Sequence, residues 1–97
     1  MGNSYRDLVV WQKSMELTKK IYTITKDFPK EEVYGLTSQI RRCAVSIPSN
    51  IAEGKGRNSD REFVRFLQIS LGSLYELQTQ FELALSFNYI SNINIFV

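Results

Sequence analysis

Histidine is absent from this 97-residue chain, and cysteine occurs once, at Cys43. Without histidine, Ser-His-Asp and Cys-His catalysis, the usual zinc sites and the Glu-x-x-His motifs of di-iron bundles are excluded in their ordinary forms. A single cysteine excludes an intrachain disulfide framework, and a reducing cytoplasm is the expected setting. No apolar run approaches the roughly 20 residues of a membrane-spanning helix. The start of the chain has no signal-peptide h-region, so no membrane partner is expected. Met1-Gly2 would open a myristoylation signal, but Arg6 stands where Ser or Thr is required. Net charge is also small: +2 does not by itself mark a nucleic-acid binder. No cofactor, metal or small-molecule substrate is suggested by any motif.

What is present is a globular composition, 43% hydrophobic and 23% charged, in a chain long enough for one domain near the lower size limit for a self-sufficient core. Residues 8–28 contain neither Pro nor Gly, and apolar residues recur there every three or four positions. Leu8, Trp11, Met15, Thr18, Tyr22 and Thr25 form one stripe, and Val10, Leu17, Ile21, Ile24 and Phe28 a second beside it. Together they cover about 200° of a helical wheel, more than the roughly 100° a surface helix needs. This helix is therefore expected to pack on two sides and to stop at Pro29. A second helix is predicted over residues 36–53, with Leu36, Ile40, Cys43, Ala44, Ile47 and Ile51 on its apolar face, a kink near Pro48, and Gly54 as its C-terminal cap. A third is predicted over residues 59–87. It opens on Ser59-Asp60-Arg61-Glu62, a capping box, with Phe63, Phe66, Leu67, Ser70, Leu74, Leu77, Phe81, Ala84 and Leu85 facing inward. Residues 88–97 read as a turn and a short apolar tail.

Two sets of side chains are candidates for function. Residues 41–65 carry a net charge of +3, from Arg41, Arg42, Lys55, Arg57, Arg61 and Arg65 against Glu53, Asp60 and Glu62. Six cations around one helical corner could meet RNA or DNA phosphates with salt-dependent affinity; ordinary surface ion pairs are the simpler account. The second set is a polar strip, Gln39, Arg42, Ser46, Asn50 and Glu53, on one face of the second helix. It is expected to form a helix-packing or intersubunit hydrogen-bond seam rather than an active site. Trp11 is assigned with it to core or subunit interface rather than to base stacking. Cys43, among Ile40, Ala44 and Ile47, reads as a small core residue. Gly54-Lys55-Gly56 is no phosphate loop, because a Walker motif needs Gly at Ser49 and Ser or Thr at Gly56, after a strand.

Beyond these features, the chain resembles the four helix bundle protein family, the 23S rRNA intervening-sequence proteins. The likeness rests on residues 5–13 (Tyr5-Arg6-Asp7-Leu8-Val9-Val10-Trp11-Gln12-Lys13), Ile21-Tyr22, Phe28-Pro29, and residues 34–42 from Tyr34-Gly35-Leu36 to Arg41-Arg42. It continues through Ser46-Ile47-Pro48-Ser49-Asn50-Ile51-Ala52-Glu53-Gly54, Glu62-Phe63, Gly72-Ser73-Leu74 and Glu76-Leu77. The resemblance implies an all-α, antiparallel up-and-down bundle of the four-helix type, a non-enzymatic bacterial protein, and a homo-oligomer, namely a pentamer. The family is also similar to the accessory protein of diversity-generating retroelements, which binds nucleic acid and a reverse transcriptase, and this implies RNA, DNA or a protein as partners. Its members usually continue past the turn equivalent to Tyr89-Ile90-Ser91 into a fourth helix. Here Asn92-Ile93-Asn94-Ile95-Phe96-Val97 follows instead, so the expected bundle lacks most or all of that helix and must associate to cover its core. Two functions are expected from this reading: a self-associating nucleic-acid binder, or an adaptor that docks another polypeptide on its apolar arcs.

Overall fold

Three α-helices carry the chain: α1 (Val9–Thr25), α2 (Leu36–Gly56) and α3 (Asp60–Ser86), with short 3-10 turns at Tyr5–Asp7 and Lys30–Glu32. The computed structural model describes residues 4–92, and among them there is no strand. The myristoylation reading at Met1-Gly2 and the apolar tail after Asn92 lie outside the described residues.

The helix ends follow from local chemistry. α1 was predicted to reach Phe28 but closes at Thr25, because the amides of Asp27 and Phe28 bond the carbonyls of Ile24 and Thr25 in 3-10 register. Pro29 disfavours the helical conformation at the residue before it, so the last turn tightens ahead of it. α2 opens without a cap from its own N-cap residue, Gly35; the Glu32 carboxylate accepts from the Leu36 amide instead, at 2.9 Å. The helix then runs unbroken through Pro48, rather than stopping and restarting there.

Its end corrects the sequence expectation. Gly54 is not a cap but lies inside the helix, and the left-handed position falls to Asn58, with φ 56°. The reason is packing: a Cβ on Gly54 would stand 2.5 Å from the Cβ of Phe66. The glycine is used for close approach of α3, and a short-side-chain amide takes the turn instead. Ser59 caps α3 through its side chain, accepting from the Glu62 amide at 3.2 Å. At the far end Tyr89 and Asn88 amides bond back to Ala84 and Leu85, with Asn88 at φ 64°, a Schellman closure.

α2 is the central element. Thr18 reaches the Ala44 carbonyl and Arg41 reaches Thr25, whereas Ser46 bonds Ser73 and Ser70 bonds the Ile47 carbonyl. Both pairings run antiparallel, so the chain goes up, down and up. Ile21, Ile40, Ala44, Ile51, Leu77, Phe81 and Ala84 are essentially removed from solvent between the helices, each large side chain contributing about 1.5–3 kcal/mol of burial. Ser14 and Gln80 are also buried, although neither belongs to an apolar stripe of the sequence. No Cα of α1 comes within 8 Å of one of α3. The two flank α2 at separate corners, and between them runs a groove of about 370 Å³ lined by Lys20, Thr23, Ile24, Phe81, Ile90 and Asn92.

Candidate functional site

The six cations do not form one corner. Arg41 and Lys55 are separated by about 21 Å of helix at 1.5 Å per residue. Arg41 points toward α1, donating to Thr25 Oγ1 at 2.8 Å and to the Tyr22 carbonyl at 3.3 Å, with its guanidinium 4.6 Å from the Tyr22 ring centre. It is a bundle contact. Arg42 is exposed on α2, away from the turn.

The remaining four, Lys55, Arg57, Arg61 and Arg65, gather at the α2–α3 elbow because the short Arg57-Asn58-Ser59 turn folds the helices back on each other. Phe66 organises two of them: the guanidinium carbons of Arg57 and Arg65 lie 5.1 and 4.9 Å from its ring centre. Lys55 lies 5.8 Å from the Phe63 ring centre. Arg57 also donates to Glu53 at 2.7 Å, and Arg65 pairs with Glu62 at 3.5 Å. Both pairs are solvent-exposed and weak in stability terms. Together with the ring contacts, they orient the cationic side chains at the elbow. Glu53 is thereby accounted for as an exposed partner of Arg57.

The polar strip divides as well. Ser46 donates to the Cys43 carbonyl at 2.6 Å, its hydroxyl also bonds that of Ser73 at 2.8 Å, and Asn50 donates to the Ser46 carbonyl at 2.8 Å. Their seam lies between α2 and α3, inside one protomer. Gln39, Arg42 and Glu53 are exposed at its edge. Trp11 is not part of it; half-buried on α1, it packs edge-on against Tyr5 at 5.1 Å. Sequence reasoning placed Ser70 on the inward face of α3 but did not join it to the strip, and it missed Ser73 and Glu76. The available signal was Ser70 and Ser73 three residues apart in an otherwise apolar face.

Cys43 donates its thiol to the Ser73 carbonyl at 3.0 Å. Burial, reinforced by the charge and hydrogen bond of Glu76, pushes its pKa up to about 11, so the thiol stays neutral at physiological pH and is a poor nucleophile. Among the described residues no three His, Cys, Asp or Glu side chains come together as a metal cage, and no helix is long and apolar enough to cross a membrane.

The family of 23S rRNA-intervening sequence proteins matches residues 6–95. That span is most of the chain, which therefore belongs to this family. No curated protein matches the chain.

Proposed function

We propose that this member of the 23S rRNA-intervening sequence protein family is a non-enzymatic bundle protomer that self-associates and presents its α2–α3 elbows to RNA or DNA. The observation that carries the reading is an unpartnered apolar stripe on α3. Val64, Leu71 and Tyr75 are exposed, about half or more of each reaching solvent, and with Gln68 they repeat at four-three-four spacing. That stripe lies on the side of α3 opposite Phe66, Leu77 and Ala84, at about 100° per residue. The spacing is that of a helix–helix seam. Val9, Val10 and Tyr22 are exposed on α1 as well.

Two different apolar surfaces on opposite flanks of α2 favour a heterologous contact, α3 of one copy against α1 of the next, which closes into a ring. A pentamer is the ring the family resemblance implies. The bundle itself is of the four-helix type, with α1, α2 and α3 at three corners and the α1–α3 groove at the fourth. Association brings several elbows onto one surface, so that the modest charge of one copy adds up to a multivalent phosphate-binding face.

Sedimentation equilibrium at micromolar concentration tests the first half. The wild type is expected to be a closed oligomer, and Leu71→Asp/Tyr75→Asp a soluble, folded monomer. Gel shift with single-stranded RNA tests the second, with binding expected to weaken steeply with salt and to be lost on Arg57→Glu/Arg61→Glu in a variant that still assembles. A wild-type monomer that shifts no RNA would favour the adaptor reading, in which the same α3 stripe docks another polypeptide.

A further inference from the structure

A second cleft, of about 360 Å³, lies at the opposite end of α2 from the elbow, where α1, the Lys30–Glu32 turn and the first turn of α2 meet. It is lined by Thr25, Lys26, Phe28, Pro29, Lys30, Val33, Thr37 and Arg41. Three properties of its wall fit together. First, every charged side chain lining it is a cation: Lys26, Lys30 and Arg41. Lys26 and Lys30 are exposed and take part in no ion pair among the described residues, while Arg41 is held in place by Thr25 Oγ1 and the Tyr22 ring. Second, Phe28, Pro29 and Val33 supply an apolar floor beside those charges. Third, Thr37 is more than nine-tenths buried, yet its hydroxyl has no hydrogen-bond partner among the described residues.

An orphaned buried hydroxyl is destabilising, and structures rarely keep one. Threonine populates two χ1 wells in a helix, so a side-chain rotation can carry the hydroxyl toward the cleft. There the hydroxyl can donate to an oxyanion that Lys26, Lys30 and the oriented Arg41 guanidinium already attract. The size is at the lower end for small-ligand pockets.

We propose that this cleft binds a small amphipathic anion, a carboxylate or phosphate carried on an apolar planar body, with Thr37, Arg41, Lys26 and Lys30 on the anionic group and Phe28, Pro29 and Val33 under the apolar one. The site lies at the opposite end of α2 from the elbow.

The test titrates the full chain with 1-naphthyl phosphate, 1-naphthoate, 1-naphthol and inorganic phosphate, following amide resonances and calorimetry. Saturable shifts at Lys26, Val33, Thr37 and Arg41 are expected with at least one of the two naphthyl anions, and the preferred one identifies the anionic group. 1-Naphthol and inorganic phosphate are each expected to bind at least tenfold more weakly. Thr37→Val, nearly isosteric and free of the orphaned hydroxyl, is expected to keep or raise the melting temperature of the free protein while weakening the anion at least tenfold. Lys26→Gln/Lys30→Gln, both exposed, is expected to weaken it similarly without unfolding the chain. Equal binding of inorganic phosphate or of 1-naphthol, shifts confined to the elbow, no saturable shift, or full affinity in Thr37→Val would each overturn the assignment.

Discussion

The two sides of α2 are built differently. Toward α3, small residues let the backbones close up: Gly54 lies against Phe66, and Ser46, Ser70 and Ser73 join the helices by hydroxyl bonds across the seam. Toward α1, Thr18 bonds the Ala44 carbonyl and the long Arg41 side chain reaches Thr25 and Tyr22, and α1 does not approach α3. The first interface is closed and intramolecular. The second leaves an open groove between α1 and α3, lined in part by Ile24, Phe81 and Ile90. The difference teaches that the broad apolar arc of α1 does not mark a deeper core. It marks surface that a three-helix arrangement cannot cover.

The comparison breaks most readily at its centre. Leu77→Ala, at a fully buried position between α3 and α2, is expected to cost about 2–5 kcal/mol. Leu17→Ala on half-buried α1 surface should cost clearly less. Urea denaturation of both variants checks the order, and equal losses would mean that the open side is as tightly packed as the closed one.

The glycines of α2 sharpen the contrast further. Gly54→Ala is expected to destabilise by about 1–3 kcal/mol through overpacking against Phe66, whereas Gly56→Ala, with nothing within 4 Å of the added Cβ, should stabilise by up to about 1 kcal/mol through helix propensity. Opposite shifts in melting temperature at two positions only two residues apart would identify close approach, not helix propensity, as the reason for Gly54.

The smallest effect concerns the link between the Lys30–Glu32 turn and the end of α3. Tyr89 donates to Glu32 at 2.7 Å. The Leu36 amide, then the Tyr89 hydroxyl, lower the Glu32 pKa below its usual 4.5, and the Glu32 carboxylate in turn raises the Tyr89 pKa above its usual 10.0. A lowered carboxylate contributes stability that is present above the unfolded pKa and lost as pH falls through the folded one. A raised phenol contributes stability that is present below its unfolded pKa and lost as pH rises through the folded one. The gap in urea midpoint between wild type and Tyr89→Phe is therefore expected to be widest near neutrality and to narrow at both extremes; a pH-independent gap would contradict the bond.

Much of the fold was legible because helix periodicity and caps are local. The inward faces of α2 and α3, the Ser59 cap and the Pro29 stop all follow from side-chain spacing and backbone chemistry within a few residues. The candidate site was less legible. Arg41 and Arg42 are adjacent in sequence to no elbow residue, yet charge counting groups all six cations together, because a linear count ignores the 1.5 Å rise that separates them. Gly54 reads as a cap for a similar reason: the demand on it comes from Phe66, twelve positions away on another helix.

By itself, then, the sequence determined an all-helical chain with the catalytic and metal chemistries of histidine excluded, three helices in their order, and membership of a recognisable family. The tertiary structure alone decided which side of α2 closes, that the polar strip is shared with Ser70, Ser73 and Glu76, that only four of six cations meet, and that Thr37, whose buried hydroxyl has no partner among the described residues, lines one cleft with three cations. The physical reason is range. Propensity, capping and periodicity act within a turn or two of chain, whereas close approach, cation placement and burial depend on which distant residues the packing of helices brings within a few ångströms.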